Sequence, residues 1–219
     1  MFIGHYAVAF GAKRFWPRVS LGILLLAATW IDLLWPVFLL LGWERVYVDS
    51  GNTAFTPLNF AHYPITHSLL GASAWSAALG LLYWFFQRQP GESVVVALLS
   101  LSHWFLDVLV HRPDLPLYPG GTKVGAGLWN FVPATVVLES SMFGLSLWLY
   151  CSATKSGDRI GTVGLWTFVA TTLLIYVGNV SGQPPPSSNA VAVLGLGAWL
   201  IPLWAGWFDR HRALRRESF

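Results

Sequence analysis

Ser93 to His111 reads SVVVALLSLSHWFLDVLVH, and the reading of this stretch decides the fold. Its apolar run approaches the roughly 20 residues that an α-helix needs to cross hydrocarbon, yet it carries His103 and Asp107 and ends in His111. An ionised carboxylate in hydrocarbon costs several kcal/mol or more, so such a group faces a protein interior and either binds a cation or stays protonated. Asp32 and Glu139 repeat the pattern in other apolar stretches, and no Lys or Arg shares those stretches with the three acids.

The chain around this stretch has the same character. Its 219 residues are 55% hydrophobic and 11% charged, with a mean hydropathy of +0.56, which excludes an ordinary soluble domain and implies an all-α, multi-pass transmembrane helix bundle. Six spans are predicted: Ser20 to Leu41, Thr66 to Phe86, Ser93 to Val110, Leu128 to Cys151, Thr162 to Gly182 and Ala190 to Phe208. The first is too long for a cleaved leader, carries Asp32 and Pro36 and lacks a small-residue cleavage site, so it reads as a retained helix.

If the chain starts in the cytoplasm, Lys13, Arg14, Arg18, Arg88, Lys155, Arg159, Arg210, Arg212, Arg215 and Arg216 fall inside, against Arg45, Arg112 and Lys123 outside. That asymmetry places both termini in the cytoplasm and accounts for the net charge of +3. No basic patch interleaved with aromatics suggests nucleic acid. Trp16, Trp43, Trp84, Trp129 and Trp207 fall near span ends and read as interfacial anchors. Cys151 is the only cysteine, so a metal site in one chain must use mainly nitrogen and oxygen ligands.

The chain reads as one integral membrane domain, with candidate ligands in residues 1–151 and scaffold helices plus a basic tail in 152–219. Asp49-Ser50-Gly51-Asn52 and Pro119-Gly120-Gly121 mark turns in the longer outer loops, and residues 183–189 form a stiff, proline-rich link. Phe2 to Ala12 would rise roughly 16 Å as a helix, half a crossing. It reads either as a half-helix that brings His5 to the level of Asp32 or as an amphipathic arm on the membrane surface.

His103, Asp107 and His111 form an i, i+4, i+8 stripe that drifts by about 80° over roughly 12 Å. The two histidines are too far apart to share one ion, and the two oxygens of Asp107 suit a bridge between metals about 3.5 to 4 Å apart. The competing reading is two buried histidines hydrogen-bonded to one aspartate. Asp32 needs a partner from another helix. His67 follows Pro64 and Thr66, the expected N-cap of the second span, and reads as a ligand or as a helix-capping histidine. Glu139 reads as a ligand or as a protonated acid bonded to a neighbouring Ser or carbonyl. His67 and His111 lie nearer the outer face than the other candidates, which asks for a funnel with metals at its base. His62 reads as a solvated loop residue, and His211 as part of the basic tail.

In this set the chain resembles the LexA-regulated, membrane-bound, metal-dependent hydrolase-like proteins of bacteria. The resemblance rests on Gly4-His5, Asp32-Leu33-Leu34-Trp35-Pro36, Tyr63-Pro64 with Thr66-His67-Ser68, Ser102-His103 with Asp107 and His111, and Gly127-Leu128-Trp129-Asn130 with Glu139. That group is similar in turn to the all-α zinc-dependent phospholipase C and single-strand nuclease superfamily. The resemblance implies zinc on His5, Asp32, His67, His103, Asp107, His111 and Glu139, with Asp107 bridging. Two departures remove ligands of a third zinc: Thr135 stands where the superfamily has His, and Met1 replaces a processed residue whose free amine ligates metal. Two ions at most are expected.

The function expected from this set is zinc-dependent hydrolysis of a phosphoester in a membrane lipid or lipid-linked substrate, in the bacterial plasma membrane. Asp32 is either a ligand or the general base, and Thr66, Ser68 and Asn130 are candidate outer-sphere donors. The rival classes are a metal-ion or proton transporter built on the same His and Asp groups and a noncatalytic scaffold braced by metal.

Overall fold

The computed structural model describes residues 1–215, so Arg216, counted above among the inner charges, lies outside the described residues. Its helices are α1 (Ile3–Phe15), α2 (Leu21–Ala28), α3 (Trp30–Leu40), α4 (Leu69–Gln87), α5 (Pro90–Val110), α6 (Val132–Ala153), α7 (Arg159–Ser181), α8 (Ser188–Leu196) and α9 (Leu200–Asp209). A single 3-10 turn, Gly197–Trp199, joins α8 to α9, and the 22 residues from Ser188 to Asp209 are long and apolar enough to count as one span. With α4, α5, α6 and α7 that gives five spans, and the bent pair α2–α3 makes a sixth. The protein is an all-α, multi-pass helix bundle.

Local chemistry sets most helix ends. Ser20, Ser68, Asp158 and Ser187 each accept a backbone N–H three residues on, capping α2, α4, α7 and α8. Pro90 starts α5, where its missing N–H costs nothing. The expected cap at Thr66 is corrected: the N-cap of α4 is Ser68, and the residues before it form a turn that carries His67 inward.

The first span is not continuous. It bends by 54° between α2 and α3, and the Thr29 hydroxyl donates back to the Leu25 carbonyl at 2.8 Å, a bond that competes with the helical ladder. α1 is no surface arm: Ile3, Ala9 and Phe10 have no exposed area, and the helix packs chiefly against α6 and α2. α4 pairs with α5, α3 with α8, and α2 with α9. The last pair approaches closely, because a Cβ on Gly22 would stand 2.6 Å from the Pro202 carbonyl. Large apolar side chains such as Leu81, Phe85, Leu98, Leu174 and Leu203 cover the outside, as a hydrocarbon solvent requires.

Strands β1 (Arg45–Val48) and β2 (Leu58–His62) form a hairpin at one end of the bundle, beside the short ladder of β3 (Leu115–Pro116) and β4 (Lys123–Val124). At the opposite end β5 (Thr154–Ser156) pairs with β6 (Arg212–Leu214). The hairpins contain the two predicted turns, and Gly120 adopts the left-handed φ of 75° that its turn demands.

Candidate metal centre

The half-helix α1, the bend of the first span, the turn before α4 and the middle of α5 meet at one point. Asp32 lies in the first turn of α3, His67 just ahead of α4, His103 and Asp107 in α5, and His5 in α1. His67 Nε2 is 3.3 Å and His103 Nε2 3.5 Å from Asp32 Oδ1. His103 Nε2 is also 3.1 Å from Asp107 Oδ2, while His5 Nε2 lies 3.1 Å from Asp107 Oδ1. The rings of His5 and His103 stack at 3.7 Å. Within each of two groups, His5–His103–Asp107 and Asp32–His67–His103, the ligand atoms all lie within 4.8 Å of one another. His103 belongs to both groups and its other nitrogen is engaged elsewhere, so these are overlapping three-ligand sets around one imidazole.

The outer nitrogens settle which way the rings offer their lone pairs. Thr66 gives its single hydroxyl proton to Glu44 Oε2 at 2.7 Å, so its oxygen, 2.7 Å from His67 Nδ1, must accept the proton of that nitrogen. His103 Nδ1 faces the Ala28 carbonyl at 3.1 Å, at the bend of the first span, and a carbonyl can only accept. His111 Nδ1 lies 3.0 Å from Asp114 Oδ1, which also accepts from the Tyr63 hydroxyl at 2.7 Å. In its neutral form each of the three rings therefore carries its hydrogen on Nδ1 and offers the Nε2 lone pair. On His67 and His103 that lone pair meets carboxylate oxygens, and His103 Nε2 is buried without a hydrogen bond. Lone pairs against carboxylates repel unless a cation or protons lie between them, and imidazole nitrogen with carboxylate oxygen is a donor set that suits zinc. The outward bonds to Thr66, the Ala28 carbonyl and Asp114 are those that orient metal-binding histidines.

His5 is arranged differently, with Nε2 on Asp107 and Nδ1 buried without a partner. His111 stands near the cluster and lines the same cavity, but belongs to neither convergent group; the two oxygens of Asp107 reach His103 and His5, not His111. Glu139 also lies outside both groups. Its Oε2 accepts the N–H groups of Phe2 and Gly4 at 3.0 and 3.1 Å, where α1 begins, and its Oε1 is buried without a partner. The partners of Oε2 are thus the backbone N–H groups of α1, in place of the Ser or carbonyl of the alternative reading. Thr135 donates to the Leu128 and Phe131 carbonyls.

The backbone nitrogen of Met1 bonds to Asp107 Oδ1. Trp129 is corrected: it is 7% exposed and its ring lies 4.3 Å from that of His111, no interfacial anchor. Thr66 is a partner of His67 as acceptor and not as the expected donor, whereas Ser68 bonds to the Pro64 carbonyl and Asn130 to that of Gly127. Glu44 and Asp114 went unrecognised in the sequence, and Tyr63 stood only in the motif of the resemblance, with no role attached. Burial raises the Asp114 carboxyl, and the bonds from His111 and Tyr63 outweigh it, holding the group below the usual carboxylate range.

A cavity of about 460 Å³ reaches the cluster and is lined there by Asp32, His67, Asp107 and His111, with Phe60 and Trp129 alongside. Asp32 is the open member, its side chain 41% exposed against 4% or less for His67, His103 and Asp107. The last helices, expected as scaffold, supply the far wall through Ile175 and Asn179 of α7 and residues of α8 and α9. No family model, curated protein or solved structure matches the chain.

Proposed function

We propose that this protein is a metal-dependent hydrolase that cleaves a phosphoester in a membrane lipid or lipid-linked substrate. The observation that carries the reading is the convergence of His67 Nε2 and His103 Nε2 on Asp32 and Asp107, with both Nδ1 atoms hydrogen-bonded outward. His67, His103 and Asp32, or His5, His103 and Asp107, would hold a zinc ion, with Asp107 spanning His5 and His103. When bound, the ion supplies Lewis-acid stabilisation of phosphoryl charge and makes water more acidic. Each group offers three protein ligands, the number that catalytic zinc sites use.

Asp32 projects into the cavity and is placed to orient a water or accept its proton. Glu44 and Thr66 keep the His67 ring from rotating, and Asp114 and Tyr63 do the same for His111. Phe60 and Trp129 exclude bulk water from one flank. An orientation with both ends cytoplasmic is supported by the Lys and Arg asymmetry between the two ends of the spans, and the bacterial plasma membrane is the location that the resemblance implies.

The test is elemental mass spectrometry on detergent-purified protein dialysed against a weak chelator, wild type beside His103→Ala, followed by a phosphoester screen. Zinc near stoichiometry in wild type, lost in the variant, is expected. Wild-type protein without retained metal would overturn the reading and leave proton or ion transfer as the role of the cluster.

A further inference from the structure

The cavity at the cluster does not end at polar groups. Beyond Asp32 it runs between α7 and α8, where Ile175, Val191, Leu194, Ala198 and Ile201 form its wall. α7 packs on α9 and α8 packs on α3, and between α7 and α8 no comparable interface closes the gap. Leu194 lines the cavity and is nevertheless 72% exposed, and Ile175 is 41% exposed, so both stand at a mouth on the flank of the bundle that hydrocarbon covers. From Val191 to Ile201 the backbone rises by roughly 15 Å, half of a hydrocarbon core of about 30 Å, the depth of one leaflet.

We infer that the α7–α8 gap is a lateral binding site for one hydrocarbon chain of a membrane lipid, entering from within the bilayer with its phosphoester head at Asp32 and His67. The inference rests on the proposed hydrolase reading and adds the route and the substrate's second half. The cavity matches such an amphiphile at both ends. Its cluster end presents groups suited to an anionic head through a cation, and its flank, apart from Asn179, presents apolar walls continuous with the lipid. A soluble phosphoester would leave that wall facing water or empty, at a cost in unburied apolar surface. At Gly197, which lines the cavity, a Cβ would meet nothing within 4 Å, so a larger side chain has space to enter there, whereas one on Gly195 would stand 2.6 Å from Pro36.

The experiment uses the full chain in nanodiscs that contain phosphatidylglycerol with a diazirine at the end of one acyl chain. Crosslinks are mapped by peptide mass spectrometry, and zinc is measured on the same preparations. Labelling is expected at Tyr6, which lines the cavity at 4% exposure, and at Ala198, as well as at the annular positions Leu81 and Leu98. Gly197→Phe should abolish the labelling at Tyr6 and Ala198 and spare Leu81 and Leu98. Ala198→Phe, one position along, carries the same expectation for Tyr6 should the first variant not fold. Labelling confined to annular positions while zinc is retained would overturn the chain site alone. Deep labelling blocked by the plug in protein without zinc would uphold the chain site and remove the metal reading beneath it.

Discussion

Two acids inside the bundle, Asp209 buried and Asp32 open to a cavity, are solved in opposite ways. Asp209 accepts from Lys13 Nζ and the Leu21 N–H on one oxygen and from the Tyr150 hydroxyl on the other, all at 2.8 Å. Lys13 gives a second hydrogen to the Val19 carbonyl, so the charge pair is closed and ties α1 to α2, α6 and α9. Asp32, by contrast, faces two imidazole lone pairs and an open cavity. Burial alone does not distinguish structure from function in such a protein. The distinguishing feature is whether the donors around a carboxylate are fixed and sufficient, or absent where a mobile cation can supply the missing charge.

The closed pair should show the largest effect when broken. Lys13→Met leaves Asp209 buried without its counter-charge, and unfolding followed by Trp fluorescence in detergent should show a loss of about 3–5 kcal/mol. Zinc bound per folded molecule should not change; zinc lost with stability intact would erase the distinction between the two acids. At the open site, Asp107→Asn should lose more zinc than Glu139→Gln, because each oxygen of Asp107 meets a histidine, while Glu139 lies outside both convergent groups with one oxygen held by α1. Equal zinc in the two variants by elemental analysis would sink that ranking.

Thr66→Val cuts the bond that fixes His67, and competition with a fluorescent chelator should read a zinc affinity weaker by about 10–100-fold, recovered by Thr66→Ser. An unchanged affinity would mean that the ring needs no anchor. The smallest effect belongs to Asp158, an exposed acid. The Gly161 N–H and the His211 ring lower its carboxyl from 3.8, so its contribution is present above that value and is lost as pH falls through the depressed folded value. Asp158→Asn keeps the cap and removes the charge. Its unfolding midpoint should therefore fall less than that of wild type between about pH 7 and about pH 3, and identical profiles would remove Asp158 from the acid response.

The spans were legible because hydropathy and length are local properties, and Asp32, His67, His103 and Asp107 stood out as polar residues in or at the edge of apolar runs. Their outer partners did not. Glu44 sits between Trp43 and Arg45 past the end of a predicted span, where an acid reads as solvated, and only the return of the chain at Thr66 buries it. Asp114 follows Arg112 in a loop, and its bond to His111 looks locally like any surface pair. Trp129 reads as an anchor by position and becomes a wall of the site because the loop before α6 folds inward. Thr29 gives no warning of the bend, since one hydroxyl in an apolar run barely alters hydropathy.

That bend has a consequence for the membrane itself. α2 and α3 hold 8 and 11 residues and rise by about 12 and about 17 Å along their own axes. If α2 stands along the bilayer normal, α3, inclined by 54°, adds only about 10 Å, and the wall spans about 22 Å against a core of about 30 Å. Where that wall meets lipid, such a mismatch would draw the neighbouring leaflet thinner beside Asp32 and bring headgroups toward the cluster without any opening of the protein. Lipid thickness then acts on the site from outside, and a series of vesicles of increasing chain length reads that dependence directly.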